Sequence, residues 1–169
     1  GCNVPIIAAF WADVDTNGGD TTPTAGGNST GTNNVYYDLD AANGVLTITW
    51  DDVGYYRGNT DLANAFQIQL IDRGNGDFDI AFRYESINWT TGNASGGVGG
   101  LGGTPARAGY TAGDGEDYYE LPGSGNQNAM LGLDRATGNN GEVGVFVFQV
   151  RNGEVVGGAG SVEIESQYG

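Results

Sequence analysis

Apolar and polar residues alternate with a period of two through three stretches of the chain. In "VLTITWDDV", Leu46, Ile48 and Trp50 fall on one face and Thr47, Thr49 and Asp51 on the other. In "AFQIQLID", Phe66, Ile68 and Leu70 alternate with Gln67 and Gln69. In "DFDIAFRY", Phe78, Ile80, Phe82 and Tyr84 alternate with Asp77, Asp79, Ala81 and Arg83. Successive side chains on a strand point to opposite faces, so each stretch predicts a strand with one buried and one wet face. The last two flank "DRGNG", where Asn75-Gly76 accepts positive φ and predicts a hairpin turn.

Further strands are predicted at 6–14, 35–39, 106–111 and 118–121. Residues 145–148 are apolar on both faces, which predicts a central position in a sheet. Asn152-Gly153 offers another tight turn, and the closing "SVEIESQYG" predicts an edge strand or a tail. No amphipathic helix of useful length is apparent. Two long loops, 16–34 and 90–104, separate the strands; loops of that length in a compact domain are often functional. Many short strands divided by turn residues predict an all-β fold, a single-domain antiparallel β-sandwich with long glycine-rich loops. The organisation expected is an N-terminal extension at 1–4, a β domain at 5–151, and a C-terminal strand or tail at 152–169.

Composition sharpens this picture. The 32 glycines among 169 residues fit long loops, while an aromatic share of 11% supplies a packed core. Acidic residues outnumber basic ones by 21 to 6, giving a net charge of −15, and every basic residue is an arginine. Such a chain repels phosphate backbones and anionic headgroups, so nucleic acid is not an expected partner. No run of ~18 apolar residues occurs, so membrane insertion by a helix is not expected either. Cys2 is the single cysteine, which excludes an internal disulfide and leaves an intermolecular crosslink or a free thiol.

The candidate chemistry is sparse. There is no histidine, which removes the commonest general base, and no serine lies in a G-x-S-x-G elbow. Paired carboxylates of the glycosidase kind remain open, without a nominated pair. "GVGGLG" formally matches G-x-G-x-x-G, but turn and strand signals follow where a phosphate-binding helix is required. "DVDTNG" places Asp13, Asp15 and Asn17 at positions one, three and five of a calcium loop, with Gly18 at the sharp turn. Thr24 stands where such a loop needs a bidentate Glu, and a strand precedes it instead of a helix. A looser calcium site, completed by backbone carbonyls or by Asp114, Glu116 or Asp117, is one reading. The alternative is an acidic turn in which Asp side chains bond local N–H groups. No other cofactor is expected. Asn28, Asn88 and Asn93 each open an N-x-[ST] sequon; Asn28 is the most accessible expectation and Asn88, beside Trp89, the most buried.

Four segments in order resemble the NIDO domain, the extracellular module named for nidogen and also present in tectorin-like and mucin-like proteins. "IIAAFWADVDT" is similar to its F-W-x-D-x-D opening, "TITWDDVGYY" to its W-x-x-V-x-Y-Y strand and turn, "NAFQIQLIDRGNGDFDIAFRYESINW" to its hairpin, and "ARAGYTAGDG" to the following A-x-x-G-[FY] piece. The resemblance runs from about residue 5 to 151. It implies an extracellular or cell-surface location, a structural or adhesion role, and no catalytic residues. The lysine-free, glycine-rich composition and the lack of cysteine-rich modules point to a microbial surface or secreted member. The function expected is therefore a non-enzymatic extracellular structural and adhesion module, with other extracellular proteins or glycans as partners. The rivals are a self-assembling filament or sheath subunit (a homopolymer joined by β-strand addition through its terminal segments), a calcium-dependent carbohydrate-binding module, and a carboxylate-based glycosidase.

Overall fold

The fold is a computed structural model in which residues 4–156 are described. Cys2 and the "SVEIES" segment lie outside the described residues. The elements run β1 (Ile6–Trp11), β2 (Asn34–Asp40), β3 (Val45–Tyr55), β4 (Asn59–Gly74), β5 (Asp77–Ser86), β6 (Gly97–Val98), β7 (Leu101–Gly102), β8 (Arg107–Thr111), β9 (Tyr118–Glu120), α1 (Gln127–Leu131), β10 (Val145–Arg151) and β11 (Glu154–Val156). A six-stranded sheet of order β11-β10-β5-β4-β3-β2 faces a three-stranded sheet of order β1-β8-β9, and β6 and β7 form a small hairpin. All pairings are antiparallel. This is the β-sandwich that the alternation implied.

Register explains the core. Trp50 pairs with Phe66, Ile48 with Ile68 and Leu46 with Leu70; Phe66 in turn pairs with Tyr84, Ile68 with Phe82 and Leu70 with Ile80. Because side chains alternate across a strand, these residues share one face with Phe148 and Val150 of β10. The small sheet closes over that face. Phe10 meets Phe66 at 5.6 Å between ring centroids, Tyr110 and Tyr119 meet Phe148 at 5.3 and 5.1 Å, and the buried Tyr84 hydroxyl donates to the Ala9 carbonyl at 2.7 Å. Trp89, fully buried, seals one end by packing edge-on against Phe10 and donating its indole N–H to the Val53 carbonyl. The neighbouring Asn64 carboxamide is engaged at both ends, donating to the Trp89 carbonyl and accepting from the Asn88 and Trp89 amides.

The small sheet covers only part of the large one. Toward β2 the same apolar face opens to solvent: Val45 through Trp50 are only half-buried, and Val35, Tyr37 and Leu39 are exposed.

Several expectations shift in detail. The strand expected at 6–14 ends at Trp11, and Val14 keeps only a single bridge to Tyr55. Asp79 and Ala81, expected to be wet, are buried. Arg73 and Arg151 close over Asp79 from the flanking strands and neutralise it, so this part of the second face is covered as well. The glycine-rich 90–104 segment holds the β6–β7 hairpin, in agreement with a turn at "GVGGLG" and not a phosphate loop. Helix α1 had no period to betray it. Five residues are too short to show one, and only the Asn126 cap, whose side chain accepts from the Ala129 amide, marks its start.

Candidate functional site

The 16–34 loop has no helix or strand before β2 begins, yet it is tightly held. A break in the β3–β4 register between Trp50 and Val53, with Asp52 at φ +50°, turns two consecutive carboxylates toward the loop. Asp51 accepts from the Thr30 and Thr32 hydroxyls, each at 2.6 Å, and from the Thr30 and Thr32 amides at 2.7 and 3.2 Å. Asp52, 1% exposed, accepts from the Thr24 hydroxyl at 2.6 Å and the Gly31 amide at 3.0 Å, and its carbonyl accepts from Thr21. Glu85 reaches from β5 to the Asn28 and Ser29 amides. Asn33 completes the clasp, donating to the Gly19 carbonyl and accepting from the Gly54 amide.

These bonds set the electrostatics. Burial raises the pKa of Asp51, but the side-chain and backbone donors of Thr30 and Thr32 outweigh it and hold the carboxyl below its usual value. Glu85 shows the same balance, burial against the donors of Asn28 and Ser29, and is also lowered. Among the described residues no arginine forms an ion pair with either carboxylate, and N–H and O–H donors stabilise both.

The residues singled out from sequence are scattered. Asp15 accepts from the Asn17 amide and carboxamide, both at 2.9 Å, and from the Gly58 amide at 3.0 Å, the local turn that was the alternative to a calcium loop. Asp13 is half-buried, with its carbonyl accepting from the Tyr56 amide. Asp114 makes a separate turn, accepting from the Glu116 and Asp117 amides. Among the described residues no three His, Cys, Asp or Glu side chains form a cluster that could hold a metal ion. Asn28 and Asn93 are exposed; Asn28 donates to Glu85 at a long 3.4 Å, and Asn93 accepts from the Gly99 amide. Asn88 is exposed too, but its side-chain N–H groups are engaged by the Ala63 carbonyl and the Ser86 hydroxyl.

Sequence reasoning missed the clasp. The paired Asp51-Asp52 in "WDDVGYY" breaks the alternation where a strand should bury its side chains, and the Thr-rich loop upstream carries the matching donors. That pairing of signals could have found it.

Two exposed surfaces complete the inventory. On the outer face of the small sheet, Trp11 (60% exposed) and Tyr118 (57%) border a shallow groove of about 450 Å³ floored by Ala8 and Gly109. Arg107 and Glu120 pair across it. The second surface is the open edge of β2, where Tyr37 is 81% exposed.

The profile of the family described as the nidogen-like domain, NIDO, matches residues 2–152. The chain is 44% identical to alpha-tectorin of Gallus gallus over 87 residues, 50% of this chain and 4% of that protein. It is 40% identical to nidogen of Drosophila melanogaster over 108 residues, 63% of this chain and 8% of that protein. Dendrite extension defective protein 1 of Caenorhabditis elegans is 32% identical over 114 residues, 66% of this chain and 9% of that protein. The chain thus spans less than a tenth of each of these relatives' length. No solved structure matches it. Among the described residues no helix is long and apolar enough to cross a membrane. Alpha-tectorin and nidogen are extracellular matrix proteins, and the module is extracellular with them. With the match running across nearly all of the sandwich, the chain belongs to the nidogen-like domain family.

Proposed function

We propose that the chain is a non-enzymatic structural and adhesion module of an extracellular matrix or cell surface, holding partners on a rigid sandwich. The observation that carries this reading is that the clasp carboxylates Asp51 and Glu85 are consumed in holding the 16–34 loop. A carboxylate glycosidase keeps one carboxyl group protonated near neutral pH beside an ionised one. Asp51 and Glu85 are both held below their usual range, and their oxygens are occupied by loop donors. Asp114 is lowered by the Asp117 and Glu116 amides and Asp117 is raised by the Asp114 charge, but both lie in an exposed turn, without the burial that keeps a catalytic acid protonated. The test uses fluorescently labelled chain on a decellularised fibroblast matrix. Retention after washing, blocked by excess unlabelled chain, is expected. Retention no greater than that of an equally acidic unrelated protein sinks the adhesion reading.

Glycan contact is a second reading, favoured by Trp11 and Tyr118 on the outer face of the small sheet. Exposed aromatic faces beside a bidentate Arg107–Glu120 pair combine apolar stacking surface with fixed polar atoms. On an immobilised glycan array, Trp11→Ala is expected to abolish whatever signal the parent chain gives; equal signals refute this site. Glycosylation, if the chain traverses a glycosylating pathway, is proposed for Asn28 and Asn93, since a glycan on Asn88 displaces hydrogen bonds that hold the β5 end.

A further inference from the structure

The sandwich manages all but one of its sheet edges among the described residues. Unpaired strand edges template association, and proteins blunt them by shortness, bulges, Pro or charged side chains, Lys above all. In the small sheet, β1 carries a bulge between Ala8 and Trp11, and β9 is three residues long. In the large sheet, β11 is also three residues long and pairs only with residues 149–151 of β10; residues 145–148, expected to be central, form an edge that the Asn139 carboxamide closes by bonding both the amide and the carbonyl of Val147. The remaining edge, β2, is different. Its seven residues pair with β3 in unbroken register from Asn34 to Asp40, and no described strand lies beyond it. It contains no Pro, exposes Val35, Tyr36, Tyr37 and Leu39, and carries its two charges, Asp38 and Asp40, on the face opposite Val35, Tyr37 and Leu39.

We propose that β2 is a self-recognition edge, pairing antiparallel with β2 of a second copy of this chain about a two-fold axis at Tyr37. The sequence of the strand is close to a palindrome in side-chain character. In this register Val35 faces the second copy's Leu39, Tyr37 faces Tyr37, and Leu39 faces Val35, all on the side continuous with the half-buried Leu46, Ile48 and Trp50. On the other side Tyr36 faces Asp38, and Asn34 faces Asp40. Each carboxylate therefore meets a neutral residue that carries a donor, and no two like charges stand directly opposite, the arrangement that would be destabilising. An isologous contact of this kind closes as a dimer instead of propagating, and it fuses two six-stranded sheets into one. It also differs from strand addition through the terminal segments, because "IIAAFW" is already paired as β1 within the sandwich.

Charge sets the conditions. Each copy carries −15, and the two Asp38 side chains sit diagonally across the axis, roughly 7–8 Å apart. Association is therefore opposed at low ionic strength and strengthened as salt screens both terms. A basic extended peptide on the same edge would show the opposite dependence, being weakened by salt.

The proposal rests on the reading of the chain as a structural module. Its experiment addresses self-pairing alone, so a negative result leaves the matrix-retention test of that reading intact. Sedimentation of the purified chain over a range of concentrations, at low and high sodium chloride, is expected to show a reversible monomer–dimer equilibrium that tightens with salt. Tyr37→Glu places like charges opposite each other on the axis and is expected to raise the dissociation constant at least about tenfold. Asp38→Asn removes the diagonal repulsion and is expected to lower it roughly two- to fivefold. Both side chains are exposed, so neither change disturbs the core. Amides of residues 34–40 are expected to gain hydrogen-exchange protection with concentration. A monomer under all conditions, or a dimer indifferent to Tyr37→Glu, overturns the proposal.

Discussion

Asp51 and Asp52 are neighbours in sequence, yet both reach the same loop, because positive φ at Asp52 breaks the alternation of β3. Asp51 alone accepts four hydrogen bonds from Thr30 and Thr32. An Asn at this position would turn an amide donor toward a group of donors and lose the charge. Asp51→Asn is therefore expected to destabilise the fold by about 2–4 kcal/mol, read by urea unfolding. Thr32→Val, which removes one hydroxyl and leaves the carboxylate its other donors, is expected to cost about 1 kcal/mol. Asp15 offers a contrast, since its oxygens are taken by Asn17 and Gly58. Calcium at Asp13, Asp15 and Asn17 would have to displace those bonds, so the melting midpoint is expected to be equal in calcium and in chelator. A midpoint raised by calcium would establish the site, because a ligand specific to the folded form must stabilise it.

At the scale of elements, the period-two stretches were readable because sheet burial is two-sided and periodic. Leu46, Phe66 and Phe82 sit on the face the alternation assigned them. What escaped was whatever depends on contacts distant in sequence. Asp79 reads as a solvent-facing residue until Arg73 from β4 and Arg151 from β10 are brought over it, each with a closest contact of 2.6 Å. Burial raises the pKa of Asp79, and the hydrogen bonds and charges of Arg151 and Arg73 more than reverse that. The Asp51 clasp escaped for the same reason, its donors lying 19 and 21 residues upstream. The Asp79 link spans three adjacent strands, and Arg151 also donates to the Phe78 carbonyl. Asp79→Ala leaves two partly exposed arginines without their acceptor and is expected to cost about 1–3 kcal/mol in urea unfolding. Exchange protection is expected to fall in β10 and β11, at the sheet's end, with the β3–β4 pairing unaffected.

For the whole molecule, charge and packing act in opposite directions as pH changes. Asp51, Asp79 and Glu85 have folded-state pKa values below their ordinary ones. Their stabilisation is complete above the unfolded value of about 4 and is lost as pH falls through the lower folded values. The same protonation relieves the self-repulsion of a chain at −15, which partly offsets the loss. On the alkaline side, burial and then the hydrogen bond and charge of Asp61 push Tyr55 up to about 12. Burial and then Tyr119 do the same for Tyr110, and burial alone carries Tyr84 well above its usual value. A raised phenol favours the fold while it is protonated, so this contribution is complete below about pH 10 and disappears as pH rises beyond it. The melting midpoint is thus expected to be flat from roughly pH 6 to 9 and to fall on both sides. Variants separate the two limbs. Asp51→Asn is expected to flatten the acid limb, because a group that cannot ionise has no proton linkage to lose. Tyr84→Phe is expected to flatten the alkaline limb while lowering the plateau, since the hydrogen bond to the Ala9 carbonyl goes with the hydroxyl. An acid limb of the same steepness in Asp51→Asn would instead assign the transition to Asp79 and Glu85, leaving Asp51 without a part in it.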